Sequence, residues 1–277
     1  MNANEIFNLR RFGQYIKYGC IIHRKTLLLG ISSIAAALIV IAIVVGYRYA
    51  DELPMYISIN SMESLRDIMR QMELGWFAVS FYICGLILAS VIFNAMNSRH
   101  EALQILTLPA SQLEKFLCSW LVAVPCFVIV FFILAMFADW IRVLYVQFAY
   151  GVDVTTIDWY GVLTDPKDNG LFEGASKVFF FYYFFIQSFF FLGSIVWSRL
   201  SFFKTIVTLV ALSTIYSWVG IWVYGMMHTP GYLAAEPFGI SGENTTTLLL
   251  VTCTVVALFN YGLSYLRFTE SETIKRW

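Results

Sequence analysis

Long apolar runs alternate with short polar connectors along this chain, and six of the runs have the length of a transmembrane helix. They lie at about residues 27–47, 76–94, 117–138, 178–197, 203–224 and 247–266. A helix needs ~20 apolar residues to cross a bilayer core of about 30 Å. None of the six runs contains an acidic residue. The pattern therefore predicts an all-α, polytopic membrane protein with six transmembrane helices.

Composition narrows the class of protein further. Hydrophobic residues make up 59% of the chain, charged residues 13%, and the mean hydropathy is +0.71, which is too apolar for a soluble core to bury. The first run exceeds the roughly 7–15 apolar residues of a signal peptide, so we interpret it as a retained span. No connector reaches the ~50 residues of an independent domain. We therefore expect a single transmembrane domain over residues 1–277.

The first twenty residues combine apolar and basic positions at helical spacing. The apolar positions are Ile6, Leu9, Phe12 and Ile16, and the polar flanks are Arg10, Arg11, Gln14 and Lys17. This pattern predicts an amphipathic helix lying in the membrane interface. The alternative interpretation is a basic tail that only sets the orientation of the chain.

Basic residues are distributed unevenly between the two sets of connectors. With both termini inside, the inner segments hold twelve of the 18 basic residues and five of the 18 acidic ones, which gives +7 inside and −7 outside. Because positive charge is retained on the cytoplasmic side, we expect both termini to be cytoplasmic. The connectors at 48–73 and 142–177 are then external caps. Asp139 and Arg142, three residues apart where the third run ends, are expected to pair locally.

The connector between the second and third runs is polar and favours a helix. If residues 98–108 are helical, Ala102, Leu103, Ile105 and Leu106 lie on one side and His100, Gln104 and Thr107 on the other. Pro109 ends this helix. Ser111 followed three residues later by Glu114 is a capping-box pattern, which predicts the start of the third transmembrane helix.

The segment before the third span has a characteristic order. It contains an arginine, then a leucine-rich short helix, then the pattern Leu-Pro-x-Ser and finally a glutamate. This order resembles the linker after the second transmembrane helix in permeases of the ABC-2 type ATP-binding-cassette transporters. The resemblance implies a short cytoplasmic coupling helix that docks onto an ATPase subunit. The expected docking residues are Arg99, Glu101, Leu103, Leu106 and Pro109.

The same resemblance implies a wider setting for the chain. Two permease chains, identical or different, would work with the ATPase subunits in a bacterial inner membrane. The expected activity is export of a hydrophobic or amphipathic substrate through the lipid bilayer. Nucleic acid is not among the expected partners.

Motifs for catalysis or ion coupling are missing from the sequence. Lys25-Thr26 and Lys204-Thr205 lack the glycines of a phosphate-binding loop, so we expect ATP hydrolysis in another chain and no enzyme activity in this one. The five cysteines and three histidines are dispersed, and no metal or cofactor is expected. Ion-coupled transporters use acids inside their spans, and the apolar runs hold none. The energy source is therefore expected to be a separate ATPase.

Two alternatives stay open at this stage. The connector could pack only on the helix ends of its own chain. The whole protein could be a non-transporting membrane scaffold or immunity protein that binds a partner through its acidic outer loops. Co-purification of an ATPase would separate both from a transporter.

The charge distribution generates a prediction about topology. A cysteine introduced at Gln104 should be protected from an impermeant thiol reagent in intact cells, whereas one introduced at Asp165 should react. The physical reason is the retention of the positively charged segments on the cytoplasmic side. The opposite labelling pattern would reverse the orientation.

Overall fold

The structure of the chain is a computed structural model, and it describes residues 7–58, 62–93, 110–151, 154–157, 159, 176–197, 199–227 and 242–273. Most of these residues are helical, and none of them lies in a strand. The helices are α1 (Leu9–Ile22), α2 (Arg24–Ser58), α3 (Met62–Val91), α4 (Gln112–Leu121), a π-helical segment (Val122–Cys126), α5 (Phe127–Tyr150), α6 (Ser176–Val196), α7 (Ser201–Met227) and α8 (Gly242–Thr273). The predicted all-α class is confirmed.

Six stretches of these helices are long and apolar enough to cross a membrane. They are Arg24–Leu53, Ile68–Val91, Gln112–Tyr150, Val178–Val196, Ser201–Trp222 and Thr247–Glu270. Their number and order match the six predicted runs, as expected for a multi-pass integral membrane protein. The first three and the sixth are longer than the corresponding apolar runs in the sequence, and this difference decides where several charged residues lie.

Helices α2 and α3 occupy most of the connector that the sequence analysis placed at residues 48–73. α2 has 35 residues, which corresponds to about 52 Å at 1.5 Å per residue, against about 30 Å for the bilayer core. Only residues 59–61, which are outside the described residues, separate it from α3. The second span therefore begins within a helix that already contains Glu73.

One ridge of α3 is buried from end to end. Leu65, Met69, Glu73, Phe77 and Phe81 follow one another at four-residue intervals, and each of them is buried. Rows of side chains at this spacing form the ridges by which helices pack. Glu73 is thus a member of the packing face of α3 and not a residue of an external connector.

The third span is a continuous rod made of α4, the π-helical segment and α5. Pro125 lies inside the π-helical segment, where its missing N–H and its ring would break an ordinary α-helical turn. The wider π turn accommodates it without ending the rod. α5 then continues to Tyr150 and ends at Gly151, whose φ of 68° is left-handed and whose N–H bonds to the Gln147 carbonyl at 3.0 Å.

The described residues that follow Gly151 lie along α5, in the direction opposite to the helix. We call the described residues 154–157 and 159 the return segment. Its contacts fall at successively earlier positions of α5, with Thr155 bonded to Arg142, Ile157 to Asp139, and the Trp159 ring against Phe132. Ile157 is buried. Thr155 and Thr156 are exposed, so the return segment packs on α5 through Ile157 and through its backbone, which satisfies buried charges of α5. The external position of this connector stays a prediction.

The described helices pack in two compact units. The first contains α1, α2, α3 as far as Gly85, α4, α5 and the return segment, and α2 packs extensively against α5. Gly46 of α2 makes this pairing close, since a Cβ there would lie 3.1 Å from the Tyr145 ring and 3.2 Å from the Val146 side chain. Small residues of this kind let membrane helices approach each other. The prediction of one domain over residues 1–277 stays a prediction.

The second unit contains α6 from Phe180, α7 and α8, together with the end of α3. Gly193 of α6 lies so close to Thr205 of α7 that an added Cβ would overlap the Thr205 hydroxyl group. The Asn260 amide of α8 donates to the Ser188 hydroxyl of α6 at 2.9 Å, and both residues are buried. Close contacts at small residues and interhelical polar hydrogen bonds are the usual means of association between membrane helices.

Candidate functional site

The predicted ATPase-docking residues lie outside the part of the chain that the structure describes. Arg99, Glu101, Leu103, Leu106 and Pro109 all belong to residues 94–109. The described residues resume at Ala110, two residues before the third span begins at Gln112, so the structure describes how the connector is attached to that span.

Ser111 and Glu114 form a capping box at the start of α4, as their spacing predicts. The Ser111 hydroxyl accepts from the Glu114 N–H at 3.2 Å, and the Glu114 carboxylate accepts from the Ser111 N–H at 3.0 Å. Two N–H groups that the first helical turn leaves without partners are satisfied in this way. The third span therefore has a defined first residue.

The Glu114 carboxylate also binds the start of α1, more than a hundred residues away in the chain. It accepts from the Asn8 N–H at 2.8 Å and from the Arg11 guanidinium at 2.8 Å through both Nε and Nη2. Asn8 is in turn the N-cap of α1, since its side chain accepts from the Arg10 and Arg11 N–H groups. One carboxylate therefore joins the N-termini of two helices.

Electrostatics favour this arrangement at the N-termini of both α1 and α4. A helix N-terminus carries a partial positive charge, and Glu114 places a negative charge at two of them. Its side chain is 0% exposed, whereas the Arg11 side chain is 34% exposed. The hydrogen bonds to Glu114 raise the pKa of Arg11, so the guanidinium stays charged. The pair is an anchor between α1 and α4, which we call the Glu114 anchor.

The Glu114 anchor has a consequence for the topology of the chain. α2 and α3 lie between its two halves, and each is long and apolar enough to cross a membrane once. Two crossings return the chain to the starting side, as the contact between Asn8 and Glu114 requires. The contact therefore supports the prediction that the N-terminal helix and the connector share one side of the membrane.

A second charged group lies within the helices of the first unit. Arg142 of α5 contacts two carboxylates, with Nε 2.8 Å from Glu73 Oε2 and Nη2 2.7 Å from Asp139 Oδ1. The three side chains are between 0 and 6% exposed. Arg142 also donates to the Thr155 carbonyl at 3.2 Å, and Asp139 Oδ2 accepts from the Ile157 N–H at 2.8 Å. We call Glu73, Asp139 and Arg142 the buried charge cluster.

Sequence reasoning found part of this cluster and missed the rest. The local pairing of Asp139 with Arg142 is confirmed, and α5 continues beyond the pair to Tyr150. Glu73 was assigned to an external connector because the apolar run begins only at residue 76. The apolar runs themselves hold no acid, but Glu73 and Asp139 are buried in the same helical stretches as the second and third runs. The four-residue spacing from Leu65 to Phe81 is the signal that places Glu73 on a buried face.

Neither group of charges resembles a metal centre. Among the residues that the structure describes, no set of three or more His, Cys, Asp and Glu side chains is arranged to hold a metal ion.

Comparison with protein-family models, with curated proteins and with solved structures finds no match for this chain. The functional proposal therefore depends on the residues and their geometry.

The Glu114 anchor leads to a prediction about stability. Glu114→Ala should lower the free energy of unfolding by about 1–3 kcal/mol, because the Asn8 and Ser111 N–H groups lose a charged acceptor. Arg11 adds less, since its guanidinium reaches solvent. Thermal unfolding of the purified protein in detergent would measure the change.

The matched control is Glu270→Ala. Glu270 pairs with Arg267 at the same 2.8 Å distance, but both side chains are about half exposed, and such surface pairs contribute little. We expect no measurable shift in its unfolding temperature. Equal losses in the two variants would show that Glu114 does not hold α1 to α4.

Proposed function

We propose that this chain is the transmembrane permease subunit of an ATP-binding-cassette transporter of the ABC-2 type. A separate ATPase chain supplies the energy, and a second permease chain, identical or different, completes the pathway in a bacterial inner membrane. The substrate class is hydrophobic or amphipathic, and the direction is export. The observation that carries the proposal is the Glu114 anchor, which lies directly after the connector predicted to dock.

A docking element can act on a membrane helix only through a firm attachment. The capping box fixes the end of the connector to α4, which continues through the π-helical segment into α5. The same carboxylate fixes α1 through Asn8 and Arg11. A displacement of the connector by an ATPase would therefore reach both the third span and the N-terminal helix.

The roles of the docking residues follow from the pattern of the connector. Leu103 and Leu106 are apolar and would fill a socket on the ATPase. Arg99 and Glu101 would set the register of docking through charge, and Pro109 would end the short helix before Ser111. In the alternative, the connector packs only on its own chain, and the same leucines make contacts within this chain instead of with an ATPase.

Docking can be tested by variants of the leucines. Leu103→Asp or Leu106→Asp should leave an inserted, folded protein that retains at most a tenth of the ATPase in co-purification. A buried unpaired carboxylate costs several kcal/mol in an apolar socket, and ~1.4 kcal/mol already corresponds to a tenfold loss of binding.

Gln104→Asp is the matched control, because Gln104 lies on the opposite side of the predicted helix and the same charge remains solvated there. Wild-type recovery of the ATPase by all three variants would contradict docking through this face. Equal loss in all three would mean that the charge itself, and not its position, disturbs the complex.

The energy source has its own test. The purified chain in proteoliposomes should neither hydrolyse ATP nor transport substrate, and transport should require the added ATPase subunit. Glu73 is the observation that favours the competing mechanism, since ion-coupled transporters use buried acids in their spans. Transport driven by an imposed proton gradient, without any ATPase, would assign the protein to that class.

A further inference from the structure

Glu73 is a carboxylate at a core position. Its side chain is 0% exposed, and its neighbours at the four-residue spacing of the buried ridge are Met69 and Phe77. The Phe77 ring stacks with Trp159 of the return segment, with 5.8 Å between centroids. An ionised carboxylate in such surroundings is unfavourable unless a cation and hydrogen-bond donors compensate it.

Asp139 receives that compensation in full. Oδ1 accepts from Arg142 Nε at 3.1 Å and from Nη2 at 2.7 Å, and Oδ2 accepts from the Ile157 N–H at 2.8 Å. Both of its oxygens are therefore hydrogen-bonded by donors that stabilise the charged form. Asp139 is therefore the hydrogen-bonded partner of Arg142.

Glu73 receives the cation without the hydrogen bonds. Arg142 Nε is 2.8 Å from Glu73 Oε2, but Nε has a single hydrogen, and that hydrogen points to Asp139. Among the residues that the structure describes, neither oxygen of Glu73 has a hydrogen-bond donor. One guanidinium thus faces two carboxylates, and the second carboxylate would bury a net negative charge.

Among the residues that the structure describes, no second cation is paired with Glu73. The charged groups that act on Glu73 are Arg142 and Asp139. Tyr49 of α2 and Tyr145 of α5 belong to the apolar cluster around Met69, and Arg70 lies about one turn before Glu73 on α3. The described return segment contributes backbone atoms of Thr155 and Ile157 to the buried charge cluster.

We propose that Glu73 is a proton-binding site, protonated at neutral pH, which makes the buried charge cluster electrically neutral. Loss of this proton puts a second full negative charge beside Arg142. The guanidinium is then divided between two anions, which weakens its bonds to Asp139 and to the Thr155 carbonyl. Proton release from Glu73 therefore loosens the return segment from α5. This inference concerns the first unit alone and does not rest on the proposed function.

Infrared spectroscopy tests the proposal directly. The full-length protein would be purified with carbon-13 in the side-chain carboxyl of glutamate or, in a second preparation, of aspartate. At neutral pH we expect a carboxylic-acid carbonyl band that moves with the glutamate label and not with the aspartate label. The band should be absent from Glu73→Gln and present in Glu114→Gln, because Glu114 is paired with the Arg11 guanidinium.

The pH dependence of stability gives an independent readout. If folding keeps a proton on Glu73 where the unfolded chain has released it, the folding equilibrium constant should fall about tenfold per pH unit as pH rises. Glu73→Gln imitates the protonated side chain and should lack this component, so its thermal unfolding temperature should exceed that of the wild type at alkaline pH.

Two results would overturn the proposal without any variant. A wild-type spectrum with no glutamic-acid band at neutral pH would show that Glu73 is ionised and finds a donor elsewhere in the chain. A band that moves only with the aspartate label would transfer the proton to Asp139. The two labelled wild-type preparations decide these outcomes even if Glu73→Gln fails to fold.

Discussion

The packing of the first unit depends on the position of one guanidinium. Arg142 lies on α5, contacts Glu73 of α3 and Asp139 of its own helix, and bonds to the backbone of the return segment. Gly46 of α2 leaves room for its aliphatic stem, with a Cβ position 3.6 Å from Arg142 Cγ. Removing one of these three charged side chains leaves the other two buried in an apolar environment without their partner. The apolar contacts of α2, α3 and α5 are therefore arranged around a charge that must be satisfied.

The Glu114 anchor solves a different physical problem at the start of the third span. The first turn of each helix has N–H groups without intrahelical partners, and burial makes them costly. Glu114 and Asn8 satisfy such groups at two helix ends at once. The same bonds that lower this cost connect the connector mechanically to α1 and α4, which is why the anchor bears on the proposed permease function.

Sequence alone predicts what local rules or bilayer thickness impose. The six spans follow from the length that hydrocarbon requires, the capping box from a three-residue spacing, and the Asp139 and Arg142 pair from one turn of helix. The contact between Arg11 and Glu114 joins residues 103 positions apart, and no periodicity reveals such a pair. The buried position of Glu73 was not predicted for another reason. The second apolar run begins at residue 76, after the last charged residue, so Glu73 was placed outside the helix. A helix can continue through a charge when a partner on another helix compensates it. The docking residues remain a prediction.

The π-helical segment around Pro125 also fixes the angular relation between the two charged sites of the third span. A π turn takes in one more residue than an α turn, and each residue of a helix corresponds to a rotation of about 100°. The Glu114 end of the rod is therefore rotated by roughly that angle relative to the end with Asp139 and Arg142, compared with an unbroken α-helix. The number of residues in the segment 122–126, and not only the proline among them, therefore determines in which direction each charged side chain faces.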